Sequence, residues 1–293
     1  MGAAFAKDCT IPVCSSSNSF DDVPENCISI VLMFLEPPEI CKLAALNRAF
    51  RAASSADFIW NSKLPSNYAV LLRRILPPCS SDRDYRRLPK KEIFARLSRP
   101  NLFDRGTKEL WLDKSSGKLF VSISAKALKI TGIEDRRYWN FVPTDESRFE
   151  SVAYLKQIWW VEIRGELELE FPKGNYSLYF RLQLGKPSKK FGRRVTEVGQ
   201  VHGWEIKPVR FEMTASNAQK ASSECYLRHS GNWVLHHVGD FCVQNPNLQT
   251  HIKFSLIQID CTHTKGGLCV DSVFICPSQF EGKAAFDSVL KQE

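Results

Sequence analysis

The chain has 293 residues, 43% hydrophobic and 25% charged, with a net charge of +8. That length suits one large and one small folded unit, and the balance is that of a globular protein. No apolar run approaches the ~20 residues that span a bilayer, so no membrane partner is expected.

Residues Met1 to Asn18 lack a basic region followed by a long apolar stretch, so no secretory signal is expected. Ala6 stands where the myristoylation pattern wants Ser or Thr. The ten cysteines form no Cys-x-x-Cys pair. They read as thiols of a reducing compartment, cytoplasm and/or nucleus. No zinc-type ligand spacing occurs, so no metal or other cofactor is expected. The P-loop, dinucleotide, Gly-x-Ser-x-Gly and His-Glu-x-x-His patterns are also missing, so the chain does not read as an enzyme.

Charge is uneven. Residues 1–65 carry −2, residues 66–118 carry +7 and residues 119–293 carry +3. A basic middle can face nucleic acid or an acidic protein. The simpler reading is a solvated helical linker over 66–109, and a nucleic-acid partner is not expected.

Residues 1–19 are Ser-rich and weakly patterned, and read as disordered. Asp21 and Asp22 can cap a helix that has Pro24 in its first turn. Ile28, Val31, Leu32 and Leu35 follow at helical spacing, and Pro37-Pro38 stops that helix. Ile40, Leu43 and Ala44 mark a second helix, Phe50 and Ala53 a third, and Phe58, Ile59 and Trp60 a last one with Asp57 as cap. A unit of this size has a marginal core and leans on a partner. Two basic helices follow, Tyr68–Leu76 and Pro89–Ser98.

From about Leu110 the apolar period becomes two. Runs recur at 118–124, 159–171, 176–184, 204–214, 233–241, 253–261 and 268–276. Glu166-Leu167-Glu168-Leu169-Glu170 alternates strictly, with one wet face and one buried. The expected fold class is α+β multidomain: a small all-α unit, basic linker helices and an antiparallel β-sandwich over 110–279, followed by a tail over 280–293.

Residues 20–65 resemble the F-box. Its marks are Val23-Pro24-Glu25, Phe34-Leu35, Pro37-Pro38-Glu39, Leu43 to Leu46, Arg48 to Phe50 and Ile59-Trp60. The resemblance implies docking onto a Skp-type adaptor and, through it, the cullin and RING subunits of a ubiquitin ligase. Pro24, Ile28, Leu35, Leu46 and Trp60 are the expected contacts or immediate supports.

Residues 110–279 resemble the phloem protein 2 lectins. The marks are Lys126 to Thr131, Tyr138-Trp139, Glu146 to Phe149, Val152 to Leu155, Trp160 to Gly165, Gly203-Trp204, Gly231 to Trp233, Gly239 to Phe241 and Lys265 to Leu268. Family members bind N-acetylglucosamine oligomers and N-glycan cores. The resemblance implies a lectin-like domain that recruits a protein substrate, glycosylated or not. Trp139 occupies a tryptophan position used by the sugar binders, with Tyr138, Glu162 and Glu166 as further candidates. An aromatic ring suits the apolar face of a pyranose, and carboxylates suit its hydroxyls. The alternative for Trp139 is a core position at the sandwich edge. Gly132 replaces a Trp of the sugar binders, and Phe141 replaces another. Trp159, Trp160, Trp204 and Trp233 read as core residues of strands. Glu146 to Phe149 reads as a tie from a helix to the sheet. A rival reading is a nucleocytoplasmic lectin acting in stress or defence without ubiquitin.

Overall fold

The computed structural model describes residues 24–76, 87–190, 193–216 and 218–280. The expectations for residues 1–19, Asp21, Asp22, Val23, Pro77-Pro78 and 281–293 lie outside them.

The N-terminal block is helical: α1 (Glu25–Met33), α2 (Pro37–Leu43), α3 (Arg48–Ala53), α4 (Asp57–Lys63), α5 (Tyr68–Ile75) and α6 (Lys90–Leu97). Local chemistry sets the boundaries. Glu36 and Glu39 form a reciprocal capping box at α2, whose first turn holds Pro37. The Asn47 side chain accepts the Phe50 amide at 2.9 Å and caps α3. Asp57 opens α4, yet its carboxylate accepts the Lys90 amide at 2.9 Å. It thus caps α6, an orphan donor satisfied across the fold rather than along the chain.

The rest is β-structure: β1 (Asn101–Phe103), β2 (Lys108–Leu112), β3 (Leu119–Ser124), β4 (Lys129–Ile130), β5 (Trp139–Pro143), β6 (Ser151–Leu155), β7 (Val161–Leu169), β8 (Gly174–Leu184), β9 (Lys186–Lys190), β10 (Arg193–Glu197), β11 (Val209–Ala215), β12 (Lys220–Cys225), β13 (Trp233–Val243), β14 (Thr250–Gln258) and β15 (Leu268–Pro277). The strands begin at Asn101, earlier than the sequence pattern indicates, because β1 is short and only partly buried.

An eight-stranded antiparallel sheet is built around β15, and a five-stranded sheet runs β12-β11-β14-β7-β4. One edge of β15 pairs with β8 along its length, which in turn pairs with β13. Its other edge is shared by β3 and β6. All ten residues of β15 are buried. The two sheets meet through aromatic packing: Phe180 on β8 lies 5.7 Å from Phe211 and 5.9 Å from Phe254, centroid to centroid. Gly165 on β7 makes room for this, since a Cβ there would sit 2.3 Å from the Phe254 ring.

The outer face of the larger sheet carries its own apolar cluster of Trp111, Phe120, Phe274 and Cys276. Beside it lie two buried ion pairs, Arg181–Asp271 at 2.8 Å and Arg148–Glu109 at 3.0 Å. Arg148 belongs to Glu146-Ser147-Arg148-Phe149, which ties the β5–β6 loop, rather than a helix, to the sheet.

The basic middle helices are not a solvated spacer. Leu71, Leu72, Ile93, Phe94 and Leu97 are buried in the same core cluster as residues of β2, β3 and β7. Asn67 donates to the Glu170 carbonyl at 2.8 Å. Gly117, at φ +65°, lets the turn before β3 approach α4, for a Cβ there would lie 2.5 Å from the Lys63 carbonyl oxygen. The positive charges sit on the outer sides of helices whose inner sides are apolar, which is why charge counting alone misplaced them.

His236 on β13 stacks on Phe211 at 5.7 Å and lies 3.5 Å from the Cys225 sulfur. Burial, reinforced by His229, pulls its pKa down to about 4 from an ordinary 6.5. Between those values the unfolded chain binds more protons than the folded one. The stabilisation is complete above pH 6.5 and is lost as pH falls toward about 4. Thermal melts should show Tm dropping across that window, and His236→Phe should lose less of it.

Candidate functional site

The first surface lies on α1. Ile28, Ser29 and Leu32 face the core, and the Ser29 hydroxyl donates to the Ala53 carbonyl at 3.3 Å. The opposite side holds Ile30, Val31 and Phe34, and Phe34 is 79% exposed. Val31, expected on the face of Ile28, points outward. A helix apolar on both sides normally has both sides covered. Of the residues named from sequence, Pro24 is exposed and Leu46 is 67% exposed, Leu35 is half-buried, and Ile28 and Trp60 are core. Trp60 donates its indole N–H to the Ser54 carbonyl at 2.7 Å and packs on Phe94. It supports the surface from within. Sequence reasoning missed Ile30 and Phe34 as outward residues. The signal was present in Ile28 to Phe34, which is apolar all round except for Ser29.

The second surface lies at one end of the β-structure. Trp139 is 1% exposed, and its indole donates to the Thr131 carbonyl at 3.1 Å. Both ring faces are packed, so it cannot stack on a sugar in this conformation, and the core alternative holds. Tyr138 is half-buried beneath the Arg137 guanidinium, 5.6 Å from its ring. Arg137 also bonds Asp135 and holds that carboxyl below its usual range.

Besides Phe141 on β5, at 43%, the exposed aromatics here are Trp159, at 52%, and Trp160, at 44%. The sequence run assigns both to a strand core, but β7 starts only at Val161, so they belong to the preceding turn. Lys265, fully buried, fixes that turn. Its ammonium donates to the carbonyls of Trp159 at 2.6 Å, His263 at 3.2 Å and Asp260. Desolvation lowers its pKa. A Cβ at Gly132 would meet both Tyr138, at 3.3 Å, and Ile158, at 3.5 Å. The Tyr138 loop and the Trp159 turn are therefore neighbours. Trp204 is core, as expected, while Trp233 is half-buried and donates to Glu146 at 3.0 Å.

Glu162 and Glu166 project from the outer face of β7. The Glu162 carboxylate pairs with Arg164, and its carbonyl accepts the Thr131 amide at 3.0 Å, next to the loop just described. Glu166 lies four residues on, about 13 Å along an extended strand. It sits in a groove of about 600 Å³ with Lys129, Arg164, Glu212 and Lys253. Lys129 and His251, each at 3.6 Å, hold its carboxyl below the usual range. The structure thus brings Tyr138, Glu162, Trp159 and Trp160 to one end and leaves Glu166 on the sheet face. Among the described residues no group of three His, Cys, Asp or Glu side chains is placed to hold a metal ion.

The family model for phloem protein 2 matches residues 118–277. The chain belongs to the phloem protein 2 family. The similarity extends through the helical block. F-box protein PP2-A13 of Arabidopsis thaliana is 59% identical over 259 residues, 88% of each chain. F-box protein PP2-A11 of the same plant is 54% identical over 258 residues, again 88% of each, and F-box protein PP2-A15 is 52% identical over 267, 87% of each. The chain is thus a plant F-box protein of the phloem protein 2 type, and neither the family nor these names indicate a catalytic family. Among solved structures, a family 61 carbohydrate-binding module in complex with β-1,4-galactotriose overlaps 53% of this chain and 91% of its own, at TM-score 0.30 and 14% identity.

Trp139→Ala should cost about 3–5 kcal/mol by opening a core cavity. Trp159→Ala combined with Trp160→Ala should move Tm by only a few degrees. Thermal melts of the two variants separate packing from surface roles within this phloem protein 2 end.

Proposed function

We propose that the protein is the substrate-recognition subunit of a Skp–cullin–RING ubiquitin ligase, acting in the cytoplasm or nucleus. The observation that carries this reading is the outward apolar side of α1, Ile30, Val31 and Phe34, on a helix whose other side is already in the core. Leu46 and Pro24 add further exposed apolar groups. An adaptor groove would bury what the helical block leaves in water, as amphipathic helices do when they dock. The F-box names of relatives that align through these helices support the same assignment.

The β-structure would hold the target at its other surfaces. The bound protein would then see activated ubiquitin at a high local concentration, and the chemistry would belong to other subunits. Trp159 and Trp160, with Tyr138 and Glu162 beside them, are the proposed recognition surface for a protein or its glycan. Exposed indoles suit either, as aromatic anchors of a protein contact or as platforms for a pyranose.

Phe34→Ser with Leu46→Ser should abolish co-purification with a plant Skp-type adaptor, each anchor contributing ~2 kcal/mol or more, without lowering Tm. Loss of the interaction should also arrest turnover of the target in cells. Turnover that continues would sink the ligase reading and leave the lectin one. Glycan-array binding that vanishes in Trp159→Ala/Trp160→Ala would make the target surface a sugar site. An array with no hits would make it a protein surface.

A further inference from the structure

β12 is an outer strand of the five-stranded sheet, with β11 on one side and no strand on the other. Ala215 donates to the Gln219 carbonyl at 2.9 Å, so the ladder to β11 runs through Gln219, Ala221, Ser223 and Cys225. The N–H and C=O groups of Lys220, Ser222 and Glu224 therefore point away from β11, and no described residue hydrogen-bonds them. The side chains of these three are exposed, while Ala221, Ser223 and Cys225 are half-buried. The half-buried side rests on β13: a Cβ at Gly239 would lie 2.2 Å from that of Ala221, and the Ser223 hydroxyl donates to the His237 carbonyl at 3.2 Å. The strand is thus held firmly from behind and open along its edge.

The other edges of the two large sheets are blunted, as strands are when mispairing is to be avoided. β1 has three residues and β4 two. Beyond β4, Arg74 and Asn67 donate to the carbonyls of Glu168 and Glu170, at 3.4 and 2.8 Å. β5 carries Pro143, which has no N–H, and its Trp139 N–H already donates to the Asp135 carbonyl at 3.1 Å. On β13 the Gln219 amide answers the Cys242 N–H at 2.7 Å and the Cys242 carbonyl at 3.0 Å. β12 has no proline, no bulge and no such cap.

We propose that β12 pairs antiparallel with the β12 of a second copy of this chain, about a two-fold axis at Ser222. In this register Ser222 faces the partner's Ser222, and Lys220 faces the partner's Glu224. Residues so placed exchange both N–H···O bonds across about 5.5 Å between Cα atoms, and opposite charges there attract. Both charges are available: among the described residues neither Lys220 nor Glu224 makes an ion pair. Arg210, the cross-strand neighbour of Glu224, pairs instead with Glu212 at 3.0 Å. A slip of two residues leaves neither charge opposite the other, and a slip of four sets Lys against Lys or Glu against Glu. Edge charges usually keep strands apart. Here the sign changes along the strand, so the charges that turn away a basic or neutral strand accept this same sequence run in reverse. The pairing would join the two five-stranded sheets into one and present two copies of every other surface together, a gain for any multivalent target. It stands apart from the adaptor reading and does not require it.

Sedimentation velocity on the purified full chain, through the micromolar range, reads the balance of monomer and dimer. The wild-type chain should move from monomer to dimer as concentration rises. Ser222→Pro removes an outward N–H and leaves the ladder to β11 whole, so it should raise the dissociation constant roughly tenfold or more with Tm almost unchanged. Lys220→Glu alone and Glu224→Lys alone should each weaken the dimer about as much, because like charges then face each other. An equimolar mixture of these two variants should recover a mixed dimer, since each supplies the charge the other lacks. That recovery is specific to the two-fold register and does not depend on how well Ser222→Pro folds. A wild-type chain that stays monomeric throughout, a dimer that survives Ser222→Pro, or charge variants that fail to recover on mixing would overturn the pairing.

Discussion

The larger sheet depends on one buried ion pair at a break in strand periodicity. Along β15, Leu268 and Val270 enter the core on one phase, and Val273 and Ile275 enter it on the other. The pairing with β8 shifts between Val270 and Ser272, so the extra residue is Asp271. Without that bulge, half of the strand would turn its apolar side chains to the wrong face. Asp271 is 1% exposed and is neutralised by Arg181 on the neighbouring strand. A carboxylate so placed is tolerable only while its partner is present, and removing either leaves an unpaired buried charge worth roughly 3–5 kcal/mol. The same arginine reaches Trp233 and the Glu146 carbonyl. Register in the sheet and shape of the β5–β6 loop are therefore secured by one side chain.

A comparable economy operates in the helical block. Its inner apolar residues form one continuous cluster with those of the strands. Its outer apolar residues, Ile30, Val31, Phe34 and Leu46, stay exposed. Trp60 connects the two roles, for it packs on Phe94 of α6 inside and lies beneath the Lys91 ammonium outside. Core packing and the exposed apolar surface thus lie on adjacent sides of α1 and α4, and effects on one need to be separated from effects on the other.

Much of this architecture was legible in the sequence. The helix signals and the seven long apolar runs each correspond to an element. The strands missed are mostly short or at edges: β4 has two residues, and β12 reads Lys-Ala-Ser-Ser-Glu-Cys with no buried position. An edge strand pairs through its backbone and needs no apolar face, so periodicity cannot reveal it. The tryptophans show the limit for the site. Trp139 and Trp159 are equally aromatic in the sequence, and only tertiary structure buries one and exposes the other. What decides it is where β7 begins, and that is set by Lys265, more than a hundred residues away, gathering three carbonyls.

The placement of α5 and α6 also bears on how such a chain can be taken apart and recombined. Leu71, Leu72, Ile93, Phe94 and Leu97 are at once the roof of the strands and the floor of the first four helices. A fragment starting after α6 would expose the surface those residues cover, and one ending before α5 would lack its base. Exchange of recognition modules between proteins built this way is therefore confined to units in which both helices travel with the strands. The spacing between the outward side of α1 and the strands is inherited with them through this packing, not through the length of a tether.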